Sequence, residues 1–196
     1  MTLSTPHGTP VLRGPVPLSH LFIRHFVSPG NHVIDATCGN GHDTLLLAEL
    51  VGSGGLVLAF DIQEQALVAT AARLSEAGMS APVKLIHGGH EGIAGQCAGP
   101  VRAVVFNLGY LPGGDCSIVT RPESTCAGLE QSLELLEPGG MVILTLYPGH
   151  AGGAQEITAL EARLAQLPPG GFHVWRMGQL NVPATAPYAI LVQKAA

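Results

Sequence analysis

The chain has 196 residues, of which 46% are hydrophobic and 12% charged, and its formal net charge at pH 7 is −5. This length and apolar content predict one well-packed globular domain and exclude a disordered chain. Nine Lys and Arg residues can neutralise few phosphates, which argues against a protein that wraps a long stretch of nucleic acid.

Strands and helices are predicted to alternate along the chain. Residues 1–16 contain three prolines and predict an irregular N-terminal arm, and residues 17–196 predict a single domain. Apolar residues at helical spacing predict a first helix over 17–27. The elements expected after it are strand 32–37, helix 42–51, strand 56–61, helix 63–77, strand 83–87, a short helical piece at 90–97, strand 101–106, helix 122–136, strand 140–147, helix 153–167 and strands near 172–177 and 187–193.

This order of elements predicts an α/β fold. Short, almost wholly apolar strands between amphipathic helices are typical of a mostly parallel sheet that is covered on both faces. The last two strands are joined by a short segment without a helical pattern, which predicts an antiparallel C-terminal hairpin. A Rossmann-like, seven-stranded sheet with this ending resembles class I S-adenosylmethionine-dependent methyltransferases.

A glycine loop follows the first predicted strand, whose apolar run ends in Asp35. Gly39 and Gly41 turn the chain before the next helix, although a glycine pair also occurs in ordinary tight turns. Thr44 stands where a dinucleotide fingerprint has its third glycine, and Asp35 and Asp43 would repel a pyrophosphate. The loop therefore favours a ligand with positive charge, such as S-adenosylmethionine, which carries an ammonium and a sulfonium.

Two further segments extend this predicted cofactor site. Asp61 ends the second strand, where a carboxylate accepts hydrogen bonds from ribose hydroxyls; a helix N-cap is its alternative or additional role. After the third strand, Gly89 and His90 lie in a loop that we expect to border the adenine, with an ordinary turn as the alternative.

A polar loop follows the fourth predicted strand, from Asn107 to Pro112. It resembles the N-P-P-Y type of loop in methyltransferases that act on exocyclic or side-chain amines. In those enzymes an amide oxygen and a backbone carbonyl accept the amine N–H groups, and an aromatic ring stacks on the base. We therefore predict Asn107 and the carbonyl of Leu108 as acceptors and Tyr110 as the stacking face. In the alternative interpretation, Asn107 and Gly109 only shape a turn and Tyr110 packs in the core.

Six segments carry a more specific resemblance. They are residues 35–44, 60–63, 89–91, 106–112, 114–120 and 147–150. In this order they are similar to the YtqB-like methyltransferases, a family long labelled rRNA methylases and associated with 5-methylaminomethyl-2-thiouridine at the tRNA wobble position. The resemblance implies S-adenosylmethionine as cofactor, the tRNA anticodon loop as partner, and methyl transfer to a 5-aminomethyl group on the wobble uridine. It implies cofactor-binding roles for Asp35, Thr37, Gly39, Asn40, Gly41, Asp43, Asp61, Gln63, Gly89 and His90.

The same resemblance implies roles on the acceptor side. Catalytic roles fall to Asn107, Tyr110, Asp115 and His150, and substrate-binding roles to Leu108, Gly109, Thr120 and Tyr147. Because an alkylamine is normally protonated near pH 7, Asp115 is the candidate proton acceptor and His150 the candidate relay; both residues also fit ordinary turns. The chain departs from the family at Gly113 and Cys116, where lysines are frequent. A homodimer is a further expectation, since it would extend the RNA-binding face.

Rival functions remain open from the residues alone. A nicotinamide-dependent oxidoreductase would need a pyrophosphate on the first loop, which its acids disfavour. A methyltransferase acting on rRNA or on a small-molecule amine is a second rival, because the acidic balance favours a small substrate. A non-catalytic module that binds the cofactor or RNA is a third.

The cysteines and histidines bear on metals and on compartment. Four cysteines without C-x-x-C spacing and nine scattered histidines predict neither a metal site nor structural disulfides. No apolar run reaches the ~18 residues that cross a bilayer, and the N-terminus has no recognisable secretory signal. We therefore expect a cytoplasmic protein without membrane contact.

Overall fold

The computed structural model describes residues 11–115, 117–149 and 152–196. Its helices and strands alternate as the sequence predicts. They are, in chain order, α1 (Pro15–Phe26), β1 (His32–Asp35), α2 (His42–Val51), β2 (Leu56–Asp61), α3 (Glu64–Glu76), β3 (Val83–His87), α4 (Ile93–Gln96), β4 (Val101–Asn107), α5 (Pro122–Leu135), β5 (Leu136–Leu146), α6 (Gly153–Leu164), β6 (Phe172–Met177) and β7 (Tyr188–Lys194).

The strands form one seven-stranded sheet in the order β3-β2-β1-β4-β5-β7-β6. The first five strands pair in parallel, whereas β7 runs antiparallel to both β5 and β6. The strand order reverses direction between β1 and β4, so the loops after these two strands diverge and leave a crevice at their carboxyl ends. The predicted fold class is confirmed, with the last strand inserted between β5 and β6.

Helices cover both faces of the sheet, as predicted. Successive β1 residues point to opposite faces: Val33 joins a core that includes Ile23 of α1 and Leu47 of α2. Its neighbour Ile34 joins the core on the other face, which includes Leu160 of α6. The strands are thus packed on both faces, and this packing fixes the positions of the strand ends from which the loops start. Within the described residues, no helix combines the length and apolar character needed to cross a bilayer.

Several element boundaries differ from the prediction, and two of the differences have a clear physical reason. Strand β5 begins at Leu136, four residues early, because Leu136 pairs with Val101 before the register shifts. At the shift Gly139 has a φ of +75° and a Cβ on Gly140 would lie 2.9 Å from a backbone oxygen, so both positions suit glycine. Helix α1 begins at Pro15, inside the predicted arm, since a first-turn proline loses no intrahelical hydrogen bond. Residues 1–10 of that arm lie outside the described residues.

Candidate active site

A cavity of about 1080 Å³ opens where β1, β2, β3 and β4 end. This volume is at the upper end of the range typical of ligand pockets, about 300–1,000 Å³, so it has room for more than one small group. Most of the predicted site residues line it: Thr37, Gly39, Asn40, Asp43, Asp61, Gln63, Gly89, His90, Asn107, Leu108, Gly109, Tyr110, Thr120 and Tyr147. Asp35, Gly41 and Asp115 are not among its lining residues, and His150 lies outside the described residues.

Asp35 lies behind the glycine loop and not in the cavity. Its carboxylate is 1% exposed and accepts a hydrogen bond from the Thr44 hydroxyl at 2.6 Å and one from the Thr37 N–H at 3.2 Å. Burial, and then the charge of Asp43, raise the pKa of Asp35 to about 7. Asp35 therefore ties the start of α2 to the end of β1, and the direct cofactor contact expected for it stays a prediction.

The raised pKa of Asp35 makes the folded state bind a proton more tightly than the unfolded chain does. Its contribution to stability therefore falls as pH rises from about 4 to about 7. We expect Asp35→Asn to flatten the loss of unfolding free energy between about pH 5 and about pH 7, measured by urea denaturation. Asp115→Asn is the control: hydrogen bonds from Ser117 lower the pKa of that exposed carboxyl, so it titrates below this window. Equal slopes for Asp35→Asn and the unmodified protein would contradict the assignment.

The glycine loop is held by backbone hydrogen bonds and close packing. Gly39 donates its N–H to Asp61 at 3.0 Å, and its carbonyl accepts the Thr70 hydroxyl at 3.0 Å. Gly41 has a φ of +78°, and a Cβ there would lie 2.9 Å from Thr70 Cα. Gly41 thus permits α2 to approach α3, and the cofactor contact expected for it stays a prediction. Asn40 donates its side-chain amide to the Pro112 carbonyl at 3.1 Å, which links this loop to the acceptor loop, residues 107–112.

The Asp61 carboxylate joins the glycine loop to the chain before α3, but it is not the N-cap of α3: the N-cap residue is Gln63, and the helix has no side-chain cap hydrogen bond. One carboxylate oxygen accepts the Gly39 N–H, and the other accepts the Gln63 N–H at 2.9 Å, just before α3. The side chain also lines the cavity. A carboxylate oxygen can accept more than one hydrogen bond, so Asp61 can fix the loop and still receive a ligand hydroxyl.

The side chain of Asn107 is oriented by an acid. Its backbone N–H donates to the Thr37 hydroxyl oxygen at 2.7 Å, which ties the end of β4 to the first loop. Its side-chain NH2 donates to Asp43 Oδ2 at 3.4 Å, and the other oxygen of Asp43 lies 2.7 Å from His20 Nε2. Because the amide nitrogen is directed to Asp43, the amide oxygen is the group that can accept a further hydrogen bond.

Tyr110 and Tyr147 line the mouth and the wall of the cavity. Tyr110 is 48% exposed, which excludes the alternative that it packs in the core. An isolated β-bridge between Tyr110 and Val119 folds the acceptor loop back on itself. Burial, followed by the charge of Asp43, raises the pKa of Tyr147, so its hydroxyl stays protonated near pH 7.

His90 forms part of the cavity wall. Its ring is 7% exposed and packs edge-on against Phe106 with 5.6 Å between the ring centroids. Its Nε2 lies 3.3 Å from the Thr125 hydroxyl. Burial lowers the pKa of His90, which favours the neutral imidazole at pH 7.

Asp115 is placed differently from the expectation. Its carboxyl is fully exposed, accepts the Ser117 N–H at 2.8 Å and has a lowered pKa because of hydrogen bonds from Ser117. A lowered pKa makes a carboxylate a weaker proton acceptor, and Asp115 does not line the cavity. The geometry therefore matches the turn role that the sequence left as its alternative.

Sequence reasoning missed three residues at or behind the cavity. His20 contacts Asp43 only because α1 packs over the sheet, and no local motif marks it. Arg121 lines the cavity at the start of α5. Glu156 is 1% exposed and lies one turn before the buried Leu160 and two turns before the buried Leu164. An acid on the apolar face of a predicted helix is the sequence signal that could have identified it.

With the cavity at this edge of this sheet, the fold is that of a class I methyltransferase. Comparison with known proteins agrees, and it narrows the class to one family. A family model described as "Putative rRNA methylase" matches residues 57–193. The chain belongs to this rRNA methylase family, which confirms the predicted resemblance.

Several relatives illustrate the similarity. The chain is 38% identical to the "tRNA (mnm(5)s(2)U34)-methyltransferase, chloroplastic" of Arabidopsis thaliana, over 90% of this chain and 68% of that protein. It superposes on a "putative rRNA-methylase" from Clostridium thermocellum with a TM-score of 0.91, 39% identity and coverage of 94% and 99% of the two chains. A methyltransferase from Streptococcus mutans in complex with SAH gives a TM-score of 0.85, 35% identity and coverage of 94% and 99%.

Proposed function

We propose that this protein uses S-adenosylmethionine to methylate the amine of 5-aminomethyl(-2-thio)uridine at the tRNA wobble position, giving 5-methylaminomethyl(-2-thio)uridine. The observation that carries the proposal is the Asn107 amide, which Asp43 holds with its oxygen available at a cavity that also contains Asp61. The Arabidopsis relative, named for the same modification at U34, supports the choice of substrate.

The side chains around the cavity fit S-adenosylmethionine better than a dinucleotide. Asp61 suits ribose hydroxyls, and the negative charge of Asp43 beside the glycine loop suits a cationic ligand and repels a pyrophosphate. Of the described residues that line the cavity, Arg121 alone is a Lys or Arg, and it lies in the chain just before α5. The SAH complex of the Streptococcus relative supports the same choice.

The chain's own residues align the acceptor amine. When bound, S-adenosylmethionine supplies a methyl group on a sulfonium, already a strong electrophile, so alignment and desolvation are the main tasks left to the protein. The amide oxygen of Asn107 and the carbonyl of Leu108 accept the amine N–H groups and direct the nitrogen lone pair. Tyr110, exposed at the mouth, provides a face for stacking the uracil ring.

The acceptor must also lose a proton, because an alkylammonium has no free lone pair. Asp43 is the carboxylate beside Asn107, and its other oxygen contacts His20, whose side chain is 30% exposed. We assign the proton to Asp43, with His20 as its route to solvent, in place of the exposed Asp115; the relay role expected for His150, which lies outside the described residues, stays a prediction. This assignment rests on placement: a base must lie within hydrogen-bond reach of the proton it takes.

Arg121 is the candidate contact with the RNA backbone. It is exposed at the cavity mouth, where a bound wobble nucleotide would bring its phosphates. We expect Arg121→Ala to raise KM for tRNA by roughly 3- to 10-fold and to reduce the salt slope of binding by about 1. Arg24→Ala, an exposed arginine on α1 outside the cavity, is the control. An unchanged salt slope for Arg121→Ala would rule out a phosphate contact.

Mass spectrometry of nucleosides tests the proposed function. Undermethylated tRNA is incubated with the protein and S-adenosylmethionine and then digested to nucleosides. A gain of one methyl on 5-aminomethyluridine or its 2-thio form is the expected result, and no gain would contradict the proposal. Because the family model carries an rRNA description, rRNA is incubated in parallel; methylation of rRNA alone would replace tRNA as the substrate.

Compartment, domain organisation and assembly remain proposals. Free thiols at Cys38, Cys97 and Cys126 suit a reducing compartment, and we propose the cytoplasm. We propose a single methyltransferase domain over 17–196. A homodimer is proposed as well, since the edge strand β6 exposes 62% of Trp175.

A further inference from the structure

Glu156 of α6 is a buried acid with two hydroxyl partners. It is 1% exposed, and its carboxylate accepts the Thr120 hydroxyl at 2.9 Å and the Thr125 hydroxyl at 2.6 Å. A buried carboxylate costs much free energy unless it is hydrogen-bonded, and charge-assisted bonds in a low-dielectric interior are strong. Both threonines are therefore held firmly in place by one side chain.

One of these threonines holds the acceptor loop. The Thr120 hydroxyl oxygen also accepts the Gly109 N–H at 3.0 Å, and the Thr120 N–H donates to the Gly109 carbonyl at 3.0 Å. Gly109 follows Asn107 and Leu108, the two proposed acceptors of the amine N–H groups. Because Glu156 takes the hydroxyl hydrogen of Thr120, the oxygen is left to receive Gly109.

The other threonine holds the adenine side of the cavity. The Thr125 hydroxyl lies 3.3 Å from Nε2 of His90. On another side of the ring, a Cβ on Gly128 would lie 2.9 Å from Cδ2 of His90, so α5 packs directly on the imidazole. His90 is thus fixed by α5, and through Thr125 it is connected to Glu156.

We propose that Glu156 is a positioning residue that fixes two loops of the cavity. It acts on the acceptor loop through Thr120 and, through Thr125, on the adenine loop, which contains Gly89 and His90. The inference rests on the proposed function for what the two loops bind. On this inference, loss of the Thr120 hydroxyl disturbs only the acceptor loop, and loss of the Thr125 hydroxyl disturbs only the adenine loop. Loss of the Glu156 carboxylate disturbs both. A residue that only stabilised the fold would show no such division.

The experiment compares Thr120→Val, Thr125→Val and Glu156→Gln. Thr158→Val is the matched control, because Thr158 lies on α6 too and its exposed hydroxyl donates to the Ala154 carbonyl of the same helix. The measurements are kcat and KM with tRNA, the Kd for S-adenosylhomocysteine, hydrogen exchange of the segment 107–112, and Tm. Hydrogen exchange and the Kd report on the two loops without requiring turnover.

We expect Thr120→Val to lower kcat/KM for tRNA by roughly 10-fold or more and to speed exchange of 107–112, with Kd changed by less than about twofold. Thr125→Val should raise the Kd roughly 3- to 10-fold and leave exchange of 107–112 unchanged. Glu156→Gln should show both effects, while Thr158→Val shows neither. The conservative variants Thr120→Ser and Thr125→Ser keep the hydroxyl and should retain wild-type values.

Three results overturn the inference: Glu156→Gln changes only Tm, both threonine variants change the same quantity, or Thr158→Val matches them. If the unmodified protein methylates no tRNA, the proposed function fails by itself. Hydrogen exchange of 107–112 and the Kd for S-adenosylhomocysteine then still decide whether Glu156 fixes both loops. If Glu156→Gln does not fold, the two threonine variants carry the test.

Discussion

Replacing Asn107 with alanine is expected to lower kcat for methyl transfer by about 10²- to 10³-fold, with the Kd for S-adenosylhomocysteine changed by less than about twofold. The substitution removes the amide oxygen that directs the amine lone pair, while the glycine loop and Asp61 remain. Alanine keeps the backbone N–H that donates to the Thr37 hydroxyl, so the loop after β1 stays tied to β4 without the Asn107 side chain. Single-turnover kinetics and calorimetric titration measure the two quantities.

Asn31→Ala serves as the matched control for Asn107→Ala. Its side chain accepts the Ser28 N–H at 2.8 Å just before β1, at the edge of the sheet opposite the cavity. A small effect on stability and none on kcat is expected there. Should Asn107→Ala turn over at the wild-type rate, the amide has no part in directing the acceptor. If it loses affinity for S-adenosylhomocysteine as well, Asn107 belongs to the cofactor side instead.

The second large effect concerns Asp61. We expect Asp61→Ala to weaken binding of S-adenosylhomocysteine by roughly 10²-fold, because hydrogen bonds to a charged group are worth about 1.5–3 kcal/mol each. The loss has two sources: the ribose hydroxyls lose their acceptor, and the N–H groups of Gly39 and Gln63 lose theirs. Asp61→Asn should be nearly as poor, because its NH2 group would face a backbone N–H donor.

Glu64→Gln is the control for Asp61. Glu64 is an exposed acid at the start of α3, three residues further along and outside the cavity. Isothermal titration of each variant, with Tm measured in parallel, separates loss of ligand contacts from loss of folding. Binding by Asp61→Ala within about twofold of wild type would exclude Asp61 from the ribose site.

Local signals predicted some elements closely and others poorly. The bounds of α2 and β2 match the prediction residue for residue. Each is an apolar run with glycines next to it in the chain, so the local sequence marks where the element begins and ends. The early start of β5 escaped prediction, since it depends on pairing with Val101, more than thirty residues away. Register across a sheet is a property of two strands, so the sequence of one strand does not contain it.

The residues of the candidate site show the same difference between what local motifs predict and what packing decides. Motifs placed Asn107, Tyr110 and Asp61 at the cavity, because the ends of parallel strands meet at one edge of the sheet. Asp35 and Asp115 belong to the same motifs, yet one carboxylate is turned into the core and the other into solvent. Position in a motif determines which loop a residue occupies, whereas packing determines where its side chain points.

By itself, the sequence determined the order of elements, the fold class, the family and the loops that surround the cavity, since all of these are encoded in local apolar patterns and short motifs. The tertiary structure alone decided the contacts of His20 with Asp43 and of Glu156 with Thr120 and Thr125. Those partners lie between 23 and 36 residues apart. Such contacts depend on how helices pack across the sheet. A hydrogen bond tolerates a variation of only a few tenths of an ångström in its donor–acceptor distance, and no local pattern specifies that distance.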